Sequence, residues 1–171
     1  MQTRLFVVVE MSRVVKNAFY IIDTVEWPIV AVRFQRAPVE DDEIDGFQAR
    51  FLAVLELARK GSLRVPKTKL YIAMNLDGIV DASLRQQFKA ADFIRDVRPY
   101  VFDVVAATGL TVSSPLVRTI FTAITAVQPL ASLHEIFEEE ASALSWLRKH
   151  MDGQQPQEAA VVPILTNTVA C

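Results

Sequence analysis

The chain has 171 residues, 51% of them apolar, which is enough for one domain with a substantial core and too many for a disordered polymer. Its 18 Lys and Arg against 20 Asp and Glu leave a net charge of −2, which argues against nucleic acid or an anionic membrane surface as the main partner. A single cysteine, Cys171, excludes an intramolecular disulfide and a thiolate metal cluster; it fits a reducing compartment, so a cytoplasmic location is expected.

Residues 1–17 read as an N-terminal extension. Arg4, Arg13 and Lys16 stand there against Glu10 alone, a pattern faintly like an organelle-targeting segment, so an organelle is the alternative location. Residues 18–24 (AFYIIDT) and 28–35 (PIVAVRFQ) are β-branched and aromatic and are three residues apart, which predicts a β-hairpin. Over 41–60 the apolar residues Ile44, Phe47, Phe51, Leu55 and Ala58 recur at spacings of three and four, forming one helical stripe that ends at Gly61. Residues 69–76 (KLYIAMNL) have strand length. Asp81 can then cap a helix with the stripe Leu84, Phe88, Ala91, Ile94 and Val97. A further strand is expected over 101–107 (VFDVVAA). Ser114 and Pro115 follow as N-cap and first-turn proline of a helix carrying Leu116, Ile120, Phe121, Ile124 and Val127, closed by Pro129. The strand 133–137 (LHEIF) leads into a helix over 138–151, acidic at its start and basic at its end in agreement with the helix dipole. From Asp152 onward the chain reads as a tail.

The longest apolar stretch, 104–134, contains Arg118, Pro115 and Pro129; a central arginine costs about 2.5 kcal/mol or more on insertion, so no transmembrane helix is expected. The order ββαβαβαβα implies a mostly parallel sheet of about five strands covered by about four helices, an α/β sandwich over 18–151. This succession resembles STAS domains and, more closely, the SpoIIAA-like (STAS/SEC14-like) group. The residues that carry the likeness are the hairpin AFYIIDTVEWPIVAVRF, the strand KLYIAMNLDG and the close QPLASLHEIFEEEASALSWLRKH with Ala143, Trp146 and Leu147. The antagonist branch of that family bears an Asp-Ser-Ser-Gly signature at the start of the second helix. Here the stretch reads Asp81-Ala82-Ser83-Leu84, leaving Ser83 as the phospho-acceptor that the resemblance implies, at a helix N-terminus where a phosphate is favoured.

Residues 108–114 read as a loop entering a helix at the carboxyl end of a strand. With Thr108, Ser113 and Ser114 as hydroxyls and Arg118 one turn inside, they form a candidate ligand or anion site, although Ser-Pro is also an ordinary helix start. His134 and His150 lie on different elements without companion ligands, so no metal site and no cofactor are expected. The acid pairs Asp41-Asp42 and Glu138-Glu139-Glu140 sit at helix starts and need no catalytic explanation. No nucleophile elbow occurs and Cys171 ends the sequence, which together disfavour an enzyme. Phe88, Phe93, Phe102 and Phe121 either fill the core or wall a cavity for an apolar ligand.

The reading from the sequence is a non-catalytic STAS-like interaction module, an accessory subunit that binds protein partners through the extension 1–17 and the tail 152–171. Self-pairing of an apolar edge strand would make it a homodimer. The alternatives are a carrier or sensor of a small lipophilic ligand, as the SEC14-like likeness implies, and a phosphorylation-regulated antagonist of the SpoIIAA type.

Overall fold

The computed structural model describes residues 14–38, 40–61, 67–80 and 83–153. Six strands, β1 (Val14–Lys16), β2 (Tyr20–Asp23), β3 (Ile29–Phe34), β4 (Leu70–Asn75), β5 (Val105–Thr111) and β6 (Leu133–Phe137), lie side by side in chain order. The first two pairings are antiparallel and the remaining three parallel. Four helices, α1 (Asp41–Lys60), α2 (Leu84–Val104), α3 (Pro115–Val127) and α4 (Glu140–Gly153), alternate with the strands from β3 onward. The chain is thus an α/β protein with a six-stranded, mostly parallel sheet.

Strand alternation assigns the two faces of the sheet. Val30, Val32, Leu70, Ile72, Val105 and Val112 point to one face and form the main core with Phe47, Phe51, Val54 and Leu55 of α1, Val97 and Val104 of α2 and Val117 of α3. Crossovers of one hand that step in one direction along a sheet put their helices on one side, which is why α1, α2 and α3 share this face. The opposite face carries small residues, Ala31, Ala73 and Ala107, under Leu147 of α4. Gly109 sits beneath Ala143; a Cβ on the glycine would lie 3.2 Å from the Cβ of that alanine, so the small residues set how closely α4 approaches the sheet.

Helix α1 spans the predicted residues, with all five stripe residues buried, Asp41, Asp42 and Glu43 in its first turn and Arg59 and Lys60 in its last. Three expectations need correction. The strand expected over 101–107 is displaced: α2 continues through an exposed Pro99 to Val104, because Val97, Val101 and Val104 fall at helical spacing on the sheet side while Phe102 and Asp103 face water. A short apolar run does not by itself separate strand from buried helix end. Helix α2 begins at Leu84 with Ser83 as its N-cap, and Asp81 lies outside the described residues. The extension 1–17 is not wholly outside the domain, since Val14–Lys16 pairs with β2 as an edge strand and brings the sheet to six strands. Residues 1–13 and the tail from 154 lie outside the described residues.

Candidate functional site

The segment 108–114 is not one loop. Thr108 lies within β5, buried, with its hydroxyl 2.9 Å from that of Ser132, and Thr111 ends the same strand. Ser113 follows the strand, and its backbone N–H and its Oγ both donate to Oδ1 of Asp77, at 2.6 and 2.8 Å. Ser114 Oγ accepts from the Val117 amide at 3.4 Å as the N-cap of α3. Arg118 donates to the Val112 carbonyl at 3.0 Å and stands 3.8 Å from Glu138. The four residues chosen from the sequence therefore do not converge on an open anion cradle. The amide and hydroxyl that would hold an anion already hold a carboxylate from the turn after β4, a partner 36 residues away that local sequence does not reveal.

Ser83 is exposed and closes a reciprocal capping box. Its Oγ accepts from the Gln86 amide at 3.3 Å and Gln86 Oε1 accepts from the Ser83 amide at 2.9 Å. Gln86 Nε2 also donates to the Pro38 carbonyl at 2.9 Å, which ties the start of α2 to the approach to α1. Lys89 reinforces that tie through Asp45 of α1 at 2.7 Å.

Between these anchored helices and the sheet lies an apolar cavity of about 230 Å³. Its floor is Ile72, Met74 and Leu110 of the sheet; Phe47 and Phe51 of α1, Phe93, Ile94 and Val97 of α2 and Ile120, Phe121 and Ile124 of α3 wall it. The distribution of burial explains why the space exists. The 20 residues of α1 include six buried ones, but the 21 of α2 include two and the 13 of α3 one. Phe93 and Ile94 of α2 and Ile120, Phe121 and Ile124 of α3 are half-buried because they face the cavity and not a filled core. An aromatic ladder bounds its α1 side: Phe47 and Phe51 stack at 5.7 Å and each meets Phe93 edge-on, at 5.9 and 6.0 Å. Of the four phenylalanines singled out in the sequence, Phe93 and Phe121 wall the cavity, whereas Phe88 and Phe102 are 70% and 76% exposed. The expected stripe through Leu84 and Phe88 is rotated accordingly, and Ala90, Phe93, Ile94 and Val97 face inward.

Polar groups in the wall are few. Thr108 and Ser132 sit there as a hydroxyl pair, Gln48, Gln86 and Gln87 contribute amides, and Arg98 contributes the single cation among the described lining residues. Sequence reasoning missed Arg98 and Ser132, because they lie 34 residues apart, on α2 and just before β6, and only the fold brings both to the wall of one space.

On the opposite face, Glu140 at the start of α4 accepts from Arg33 Nε at 2.6 Å and from Asn75 Nδ2 at 3.0 Å. Burial pushes the Glu140 carboxyl up, but the hydrogen bonds and charge of Arg33 together with the Asn75 bond outweigh it and hold the group below the usual glutamate value. The arrangement pins α4 to β3 and β4. His134 and His150 use their Nδ1 atoms on the backbone carbonyls of Ser132 and Trp146. Among the described residues, no three His, Cys, Asp or Glu side chains group to hold a metal ion, and no helix is long and apolar enough to cross a membrane. Comparisons with protein-family models, with curated proteins and with solved structures returned no match.

Proposed function

We propose that this chain binds a small lipophilic molecule in the cavity between the sheet and α1, α2 and α3, as a carrier or sensor built on a STAS-like scaffold. The observation that carries the reading is the space of about 230 Å³ between the sheet and three helices, lined almost wholly by apolar side chains. Protein interiors are normally filled to crystal density. The apolar side chains around the unfilled space forgo the dispersion contacts that a close-packed interior would give them. A guest that fills it recovers much of that loss. Among the described lining residues there is no Asp, Glu, His or Cys, so the wall favours holding a molecule over transforming it. The alternation of strands and helices is the α/β order expected from the sequence, with one strand added at the edge.

The accessory-module reading rests on segments that lie almost wholly outside the described residues, whereas the ligand reading rests on described geometry. The test is native mass spectrometry of the purified full-length chain beside Ala90→Phe, a substitution that extends a ring into the cavity from α2. The expected result is a reproducible non-covalent lipophilic mass, or saturable uptake of a neutral apolar fluorophore, in the parent chain and its loss in the variant. A parent chain that carries no such mass and takes up no fluorophore would refute the proposal.

A further inference from the structure

We propose that the guest is a straight-chain monocarboxylic acid of medium length whose carboxylate sits at Arg98 and the Thr108–Ser132 hydroxyl pair; this rests on the cavity being a ligand site. Arg98, Val101, Val105 and Thr108 all wall the cavity and follow one another through the junction of α2 with β5, so the cation and the hydroxyls share one end of the space. Arg98 is exposed as well as lining, which places it at an opening, while Thr108 is buried. No described residue forms a hydrogen bond or ion pair with the Arg98 guanidinium, and no described carboxylate lines the cavity to neutralise it. The other arginine beside the cavity region, Arg118, is spent on the Val112 carbonyl.

The hydroxyl pair adds an independent argument. Two hydroxyls have two protons between them, and the single bond between Thr108 and Ser132 uses one. One proton is therefore left to donate beside an apolar wall, where an acceptor on the guest gains most. A carboxylate meets both demands: it accepts from the hydroxyl pair and from a guanidinium fork, and at an opening it stays partly solvated, which avoids the penalty of deep charge burial. An ammonium head would be repelled by Arg98. Volume limits the tail: since an apolar cavity of about 150 Å³ accepts benzene, about 230 Å³ corresponds to about nine carbons, too little for a two-chain lipid.

The test is displacement of a neutral apolar fluorophore from the full-length chain by nonanoic acid, its methyl ester and nonylamine, at neutral pH and low salt. The acid is expected to bind about tenfold or more tightly than the ester, with the amine weakest, in line with a charge-assisted bond. Arg98→Gln should bring the acid down to the level of the ester, and Thr108→Val should reduce the acid's advantage, with circular dichroism reporting that each variant folds. Equal displacement by acid and ester, unchanged in Arg98→Gln, would overturn the head-group assignment while leaving the cavity as a ligand site. No fluorophore uptake at all would overturn the cavity reading and this inference with it.

Discussion

Replacing Gly78 with alanine probes the contact that fixes the roof of the cavity. Gly78 lies in the turn after β4, and a Cβ built there would stand 2.0 Å from the Phe34 carbonyl oxygen, 2.6 Å from its carbon and 2.7 Å from the Gln35 carbon. Real Cβ contacts do not fall below 3.0 Å, so from 2.0 Å the turn must move by at least 1.0 Å, and the obstacle is backbone rather than the end of a flexible side chain. The residues that would move are consequential: Leu76 and Ile79 on either side wall the cavity, and Asp77 holds the amide and hydroxyl of Ser113 ahead of α3. Overpacking of this kind costs about 3 kcal/mol, which for a chain of this size lowers the thermal midpoint by about 6–12 °C. Gly46 supplies the opposite sign in the same experiment. It lies inside α1 with nothing within 4 Å of where a methyl would stand, so Gly46→Ala should stabilise by about 0.5–1 kcal/mol through helix propensity alone. Thermal unfolding followed by circular dichroism reads both. A Gly78→Ala midpoint within about 1 °C of the parent, or a shift of the same sign for both variants, would refute the steric account of the turn.

Four further substitutions test the packing and electrostatics. The Glu140 carboxyl is held below its ordinary 4.5 in the folded chain, so the folded state binds its proton less readily than the unfolded state; the stabilisation is present above pH 4.5 and disappears as pH falls through the lowered folded value. Glu140→Gln should therefore flatten the loss of stability in acid titrations monitored by urea unfolding, and an unchanged acid slope would show that the Arg33 contact contributes nothing. Thr111 is 2% exposed and its hydroxyl has no hydrogen-bond partner among the described residues, so Thr111→Val should raise stability by about 1 kcal/mol in denaturant titration; destabilisation would mean that the hydroxyl has a partner. Phe93→Ala, which removes a ring that meets Phe47 and Phe51, should cost about 1–2 kcal/mol, while Phe88→Ala at a 70% exposed site should stay within about 0.5 kcal/mol; equal costs would place α2 in the wrong rotation.

How much of this was legible in the sequence depended on whether a feature is local. Helix α1, strand β6 and the Ser114-Pro115 start of α3 were readable because their signals are a stripe, a run of strand length leading into an acid-started helix, and an N-cap, each complete within one segment. The junction of α2 with β5 was not, since VFDVVAATGLTV is mostly apolar and either period fits its first half. What decides it is the backbone: the Val105 N–H closes the helix on the Val101 carbonyl while Val105 pairs with Leu70 in the sheet, which is tertiary information. The rotation of α2 failed for a related reason. Leu84 and Phe88 extend the stripe through Ala91 on paper, but the ties from Gln86 to Pro38 and from Lys89 to Asp45 turn those polar side chains toward α1 and carry Phe88 out into water.

The cavity lies further beyond sequence reading, because a void depends on what the side chains of several elements leave unfilled. A half-buried apolar stripe and a fully buried one have the same spacing, so the pattern Ile120, Phe121 and Ile124 in α3 predicts an inward face without saying whether anything meets it. The ligand proposal turns on the polar residues around the space. A packing fault lined by apolar atoms closes by relaxation or persists as an empty bubble, and neither outcome calls for a donor within it. Here a hydroxyl pair with one spare proton and an unengaged arginine stand at the same end of an otherwise apolar space. The buried Thr108 hydroxyl is cut off from bulk water while Arg98 stands exposed at the opening, and the proposed guest with an apolar tail and an acidic head would engage both.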